Sequence, residues 1–201
     1  MESESGPREV HFLIDTSGSM CGSRIRAVSQ TLMEILNTLL SDRDILSITL
    51  FNRSIAYLTK RTDLSTGLKR SSVEKDINAM VRKCGGCTYF YQSLVTLAKK
   101  LDAARPDAST TLWVVALTDG QDNGPPELGP TDVKDMYLKR NIRLIIIAVG
   151  LGNDYRTIET LKYLCSEQDY FIASDDISGI SNALKSGFEM VSSGSLVMES
   201  L

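Results

Sequence analysis

Val10-His11-Phe12-Leu13-Ile14 runs directly into Asp15-Thr16-Ser17-Gly18-Ser19, and the reading of these ten residues decides the fold. The first half is too continuous for a half-exposed strand and suits one buried on both faces, as in a parallel sheet covered by helices. The second half leaves regular structure: Ser and Gly favour a turn, and one carboxylate and two hydroxyls at alternating positions can all point inward if Gly18 lets the backbone bend sharply. An oxygen-lined loop at the carboxyl end of a buried strand is where open α/β sheets gather their ligands.

Outward from this stretch, apolar runs of strand length alternate with segments of helical period. Ile25, Val28, Leu32, Ile35, Leu36 and Leu39 recur at three- and four-residue steps, predicting a helix over 23–40. Strands are expected at 44–51, 111–117, 143–149 and 169–172, with a short antiparallel edge strand at 54–58 after the Asn52-Arg53 turn. Further helices are expected at 68–81, at 89–104 before Arg105-Pro106, from Thr131 as cap to Arg140, at 155–166 and at 177–191. The fold class is therefore α/β and doubly wound: a mostly parallel central sheet, one antiparallel edge strand and about six helices on both faces. The expected organisation is an N-terminal tail over 1–8, one domain over 9–191, and a C-terminal tail or linker over 192–201.

The 201 residues, 42% of them hydrophobic, suffice for one sizeable core. A net charge of −3 argues against nucleic acid as a partner, because phosphate-backbone binders concentrate Lys and Arg. No apolar run reaches the roughly 18 residues that span a bilayer, so membrane insertion is not expected. The four cysteines, Cys21, Cys84, Cys87 and Cys165, are few for a disulfide scaffold. Reduced thiols and an acidic, polar start unlike a signal peptide lead to an expectation of a cytoplasmic protein.

Two further segments bring oxygen donors to the same edge of the sheet: Gly85-Gly86-Cys87-Thr88 ahead of a helix, and Thr118-Asp119-Gly120 behind a strand. Two carboxylates and three hydroxyls suit a hard cation, Mg²⁺ or Mn²⁺, better than Zn²⁺. Asp15-Thr16-Ser17-Gly18-Ser19 resembles the Asp-x-Ser-x-Ser motif of the von Willebrand factor A family, its metal-ion-dependent adhesion site. Thr88 resembles that family's threonine ligand, and Asp119 its distal aspartate; relatives usually have glycine directly before the threonine, where Cys87 stands here. The resemblance extends from Val10 to Val191 and implies a Rossmann-like domain that holds its metal at Asp15, Ser17, Ser19, Thr88 and Asp119. It implies a metal left one ligand short, completed by a Glu or Asp carboxylate of a protein partner, and a last helix that shifts with metal coordination; relatives act in intracellular assemblies or in extracellular adhesion, and the thiols and the polar start favour an intracellular assembly here.

Competing readings attach to several of these residues. Cys84 and Cys87 suggest zinc or redox chemistry, but no second close pair completes a zinc site, and unpaired thiols are favoured. His11, the only histidine, reads as a hydrogen-bonded core residue. Asp122 and Asn123 read as solvated loop residues before a supporting role at the metal. Trp113, Tyr89 and Tyr91 read as packing residues, with the two tyrosines as candidates for a binding face. No enzyme is expected. The alternative is a metal-dependent phosphohydrolase using Asp15, but Ser17 stands where such an enzyme needs its second aspartate.

Overall fold

A computed structural model describes residues 8–105, 111–120 and 122–198. The chain alternates as expected: β1 (Glu9–Asp15), α1 (Ser23–Thr38), β2 (Ile45–Phe51), β3 (Ile55–Asp63), α2 (Gly67–Met80), α3 (Phe90–Ala104), β4 (Leu112–Thr118), α4 (Pro130–Lys139), β5 (Ile142–Val149), α5 (Tyr155–Leu164), β6 (Phe171–Ser174) and α6 (Ile177–Met198). The six strands lie in the order β3-β2-β1-β4-β5-β6. All neighbours are parallel except β3, which pairs antiparallel with β2 at one edge.

The period-two alternation of the strands divides the core between the faces of the sheet. Val10, Phe12 and Ile14 of β1 pack with Ile25 of α1, Ile77 of α2 and Leu184 of α6, whereas Leu13 packs with Leu94 of α3, Val133 of α4 and Leu161 of α5. Every residue of β4 is buried. This is why the central strands read as unbroken apolar runs.

The elements differ from the local pattern at several ends, and pairing accounts for the longest strand extension. β3 runs to Asp63 rather than Leu58, because its polar second half follows β2 as an exposed edge and Arg61 donates twice to Glu9 Oε1 and Oε2, at 2.7 and 2.8 Å. α4 starts at Pro130 with Gly129, not Thr131, as its cap, an ordinary place for proline because its missing N–H needs no partner there. β6 lies two residues later than expected, with a 3-10 turn over Gln168–Tyr170 ahead of it. α6 continues to Met198 instead of stopping at Val191, so 192–198 is helix and not tail. Residues 1–7 of the expected 1–8 tail, Pro106 and residues 199–201 lie outside the described residues.

Arg8 anchors that last helix to the opposite end of the sheet from the candidate site. Its guanidinium donates to Asp44, to the Leu39 carbonyl and to Ser192 Oγ, and stacks 4.8 Å from the Phe188 ring centroid. Burial pushes the Asp44 carboxyl up, but hydrogen bonds from Arg8 and the Ser41 N–H outweigh it and hold Asp44 below the usual aspartate value. Because the folded value is the lower one, this stabilisation is present above about pH 4 and fades as pH falls further. Asp44→Ala leaves the Arg8 cation mostly buried without its carboxylate and is expected to cost roughly 3–5 kcal/mol in urea unfolding; a loss under about 1 kcal/mol would show that the clamp is dispensable.

Candidate metal centre

Three loops meet at the carboxyl edge of β1 and β4, and the first is organised by Asp15 itself. One of its oxygens, Oδ1, accepts the Ser17 N–H at 2.8 Å, the local turn that short acidic side chains favour. The other, Oδ2, accepts the Thr118 hydroxyl at 3.0 Å, which links the ends of the two central strands. Ser17 Oγ and Ser19 Oγ lie 3.2 Å apart, so the hydroxyls and carboxylate that the sequence spaces alternately do converge.

The second loop is fastened to the first by its backbone. Gly18 donates to the Gly86 carbonyl at 3.0 Å and Gly85 to the Thr16 carbonyl at 2.7 Å. Gly85 and Gly86 have φ of +143° and +88°, left-handed values that L side chains rarely adopt. Asn52, from the β2–β3 turn, donates through its side chain to Gly85 O and accepts the Tyr89 N–H at its own carbonyl. Thr88, buried between these anchors, also accepts the Asn123 N–H at its carbonyl at 2.7 Å.

The third loop carries Asp119. It follows Thr118 and stands close enough to Asp15 for the two carboxylates to repel. Burial first, and that repulsion second, push the Asp15 carboxyl up to about 6 against the opposing hydrogen bonds from Ser17 and Thr118. A fully buried carboxylate with a second one beside it demands a proton or a cation, and the donors around it are oxygens. The residues present therefore fit a hard divalent ion.

Several residues that organise this centre escaped the sequence reading. Asp122, read as a solvated loop residue, accepts the Phe90 and Tyr91 N–H groups at 2.6 and 3.2 Å and so caps α3 from a distant loop. The reach of Thr118 to Asp15, of Asn52 to Gly85 and of Arg24 to Asp119 had no local signal, because each crosses to a segment far from its own. Cys21 and Cys84 are joined in a disulfide, contrary to the expectation of four reduced thiols; Cys87 is a free exposed thiol and Cys165 a free buried one. Among the described residues no group of three or more His, Cys, Asp or Glu converges, and Cys84 is joined to Cys21 rather than paired with Cys87. His11 is a core residue as expected, with Nδ1 2.6 Å from Ser47 Oγ and Nε2 3.2 Å from Glu9 Oε1. Trp113 packs 5.8 Å from the Tyr170 ring, while Tyr89 and Tyr91 are half-buried at the rim.

A family model, von Willebrand factor type A domain, matches residues 9–185. The chain belongs to this family. Such domains are protein-interaction modules, often metal-dependent. The human inter-alpha-trypsin inhibitor heavy chain H4 is 27% identical over 173 residues, covering 77% of this chain but 17% of its own length, so the chain spans about a sixth of that relative. Among solved structures, the von Willebrand domain of the type V pili tip protein Mfa5 from Porphyromonas gingivalis has a TM-score of 0.74 at 10% identity, covering 96% of this chain and 97% of its own. Proximal thread matrix protein 1 from the mussel byssus, with its metal-ion-dependent adhesion site occupied by zinc, has a TM-score of 0.72 at 16% identity, covering 95% and 46%. At these identities the structures establish the common fold.

Two outcomes follow from the site as built. Because the folded Asp15 value lies above the ordinary one, the metal-free domain is expected to lose stability as pH rises from about 4 to about 6. Asp15→Asn should remove that slope and raise metal-free stability at pH 7 by up to about 3 kcal/mol in urea unfolding; an unchanged slope would refute the assignment. Thiol titration of the unfolded, unreduced protein should find two free cysteines, Cys87 and Cys165, and not four.

Proposed function

We propose that this domain binds a protein partner through a divalent metal held by Asp15, Ser17 and Ser19, with Thr88 and Asp119 contributing directly or through water. The observation that carries this reading is the convergence of the buried Asp15 carboxylate, the paired Ser17 and Ser19 hydroxyls and the Gly85–Thr88 loop at one edge of the sheet. The all-oxygen donor set favours Mg²⁺ or Mn²⁺, with water completing the shell until a partner's Glu or Asp carboxylate enters. The mussel relative holds zinc at its own site, so zinc belongs beside the other two ions in any titration.

A phosphohydrolase reading has less support. Asp15 is fully buried and accepts hydrogen bonds at both oxygens, and the next side chain of the motif on that face is the Ser17 hydroxyl, a poor proton donor. The cytoplasmic expectation rested in part on reduced thiols; the Cys21–Cys84 bridge instead supports an oxidising compartment, where such bonds persist.

Affinity capture from the native source with and without chelator tests the proposal. Partners held by the parent domain in Mg²⁺ or Mn²⁺ should be lost on chelation and lost in Asp15→Ala. Capture indifferent to both treatments, or phosphatase turnover by the purified domain, would overturn it.

A further inference from the structure

The two carboxylates of the centre are stabilised by different means. Asp15 is satisfied by neutral donors, the Ser17 N–H and the Thr118 hydroxyl. Asp119 instead faces a cation: Arg24 Nη1 lies 3.7 Å from Asp119 Oδ2 and donates to the Ser19 carbonyl at 3.4 Å. Arg24 stands in the first turn of α1, directly after the metal-binding loop, and its guanidinium reaches back over the edge of the sheet.

The fold leaves room for it there. Gly150, just beyond the end of β5, has φ of +70°, and its N–H is held by the Ser174 carbonyl at 2.7 Å. A Cβ at Gly150 would come within 2.6 Å of Arg24 Nη2. The guanidinium therefore lies against a backbone surface that a side chain would cover. The Asp119 side chain is only 12% exposed and that of Arg24 30%, so their attraction is screened less than that of a pair on open surface.

We propose that Arg24 is a built-in counter-charge to the distal carboxylate, a positioning residue that holds Asp119 back from the cation and sets the balance between metal affinity and attraction for an acidic partner. This rests on the metal reading above. With Arg24 present, the two aspartates and the arginine sum to a single negative charge, and a divalent ion brings the centre to a net positive one that draws in a carboxylate. Without Arg24, the same ion would only neutralise the centre. It would bind more tightly, because Asp119 is released and a nearby positive charge is gone, but the loaded site would attract an acidic group less.

Calorimetric titration with Mn²⁺ at fixed ionic strength tests this on the parent domain, Arg24→Gln, Arg24→Lys, Asp119→Asn and the Arg24→Gln/Asp119→Asn double variant, each checked for an unchanged melting curve. Arg24→Gln should bind Mn²⁺ roughly 10-fold more tightly, and Arg24→Lys should stay near the parent. The gain from Arg24→Gln should shrink in the Asp119→Asn background, since the arginine acts through that carboxylate. Equal affinities for the parent and Arg24→Gln would overturn the role of Arg24 while leaving the metal site standing. An undiminished gain in the Asp119→Asn background would overturn the positioning role, reducing Arg24 to a diffuse charge. No chelator-reversible Mn²⁺ binding by the parent would overturn the metal reading and this inference together.

Discussion

Asp15 carries an ionisable group into a place without solvent, at the end of a central strand whose other side chains are almost all buried. Burying a carboxylate is costly unless its oxygens are hydrogen-bonded and its charge is matched. Much of the surrounding edge of the sheet answers that requirement. The Ser17 N–H closes the local turn, the Thr118 hydroxyl reaches across from β4, and the repulsion from Asp119 leaves the pair short of positive charge. The strand order matters here: β1 and β4 are neighbours, so the loops that leave them emerge side by side.

The loops are tied to one another through their backbones as well as through side chains. Gly18 with Gly86 and Gly85 with Thr16 form paired backbone hydrogen bonds, and the Cys21–Cys84 bridge closes the same two segments covalently. Asn52 and Asp122 fasten the Thr88 segment from two other loops. A site held by rigid, mutually bonded loops can keep hydroxyls and carboxylates aimed at one point without spending partner-binding energy on ordering them. The opposite end of the sheet is secured separately by Arg8, Asp44 and α6, which leaves the ligand edge free of that structural duty.

Element order, the parallel sheet and the candidate donor residues were legible along the chain because they depend on local pattern. Buried strands such as β4 announce themselves as apolar runs, α1 through its helical period, and Asp15, Ser17 and Ser19 through alternate spacing in a loop that cannot be strand. The ends of β3 and α6 lie beyond what local pattern predicts for a corresponding reason. Thr59–Asp63 is polar and Ser192–Ser195 weak in helix propensity; the first pairs with β2, and Ser192 meets Arg8.

The sequence by itself determined the α/β class, the family and the candidate oxygen donors. Only the tertiary structure decided that Cys21 meets Cys84 across 63 residues, that Asp122 caps α3, and that Arg24 faces Asp119 beside a glycine that leaves it space. Local spacing fixes backbone conformation and which face of an element is buried. Contacts between loops distant in the chain depend on strand order and register, which bring their ends to a common edge and which no short stretch of sequence encodes.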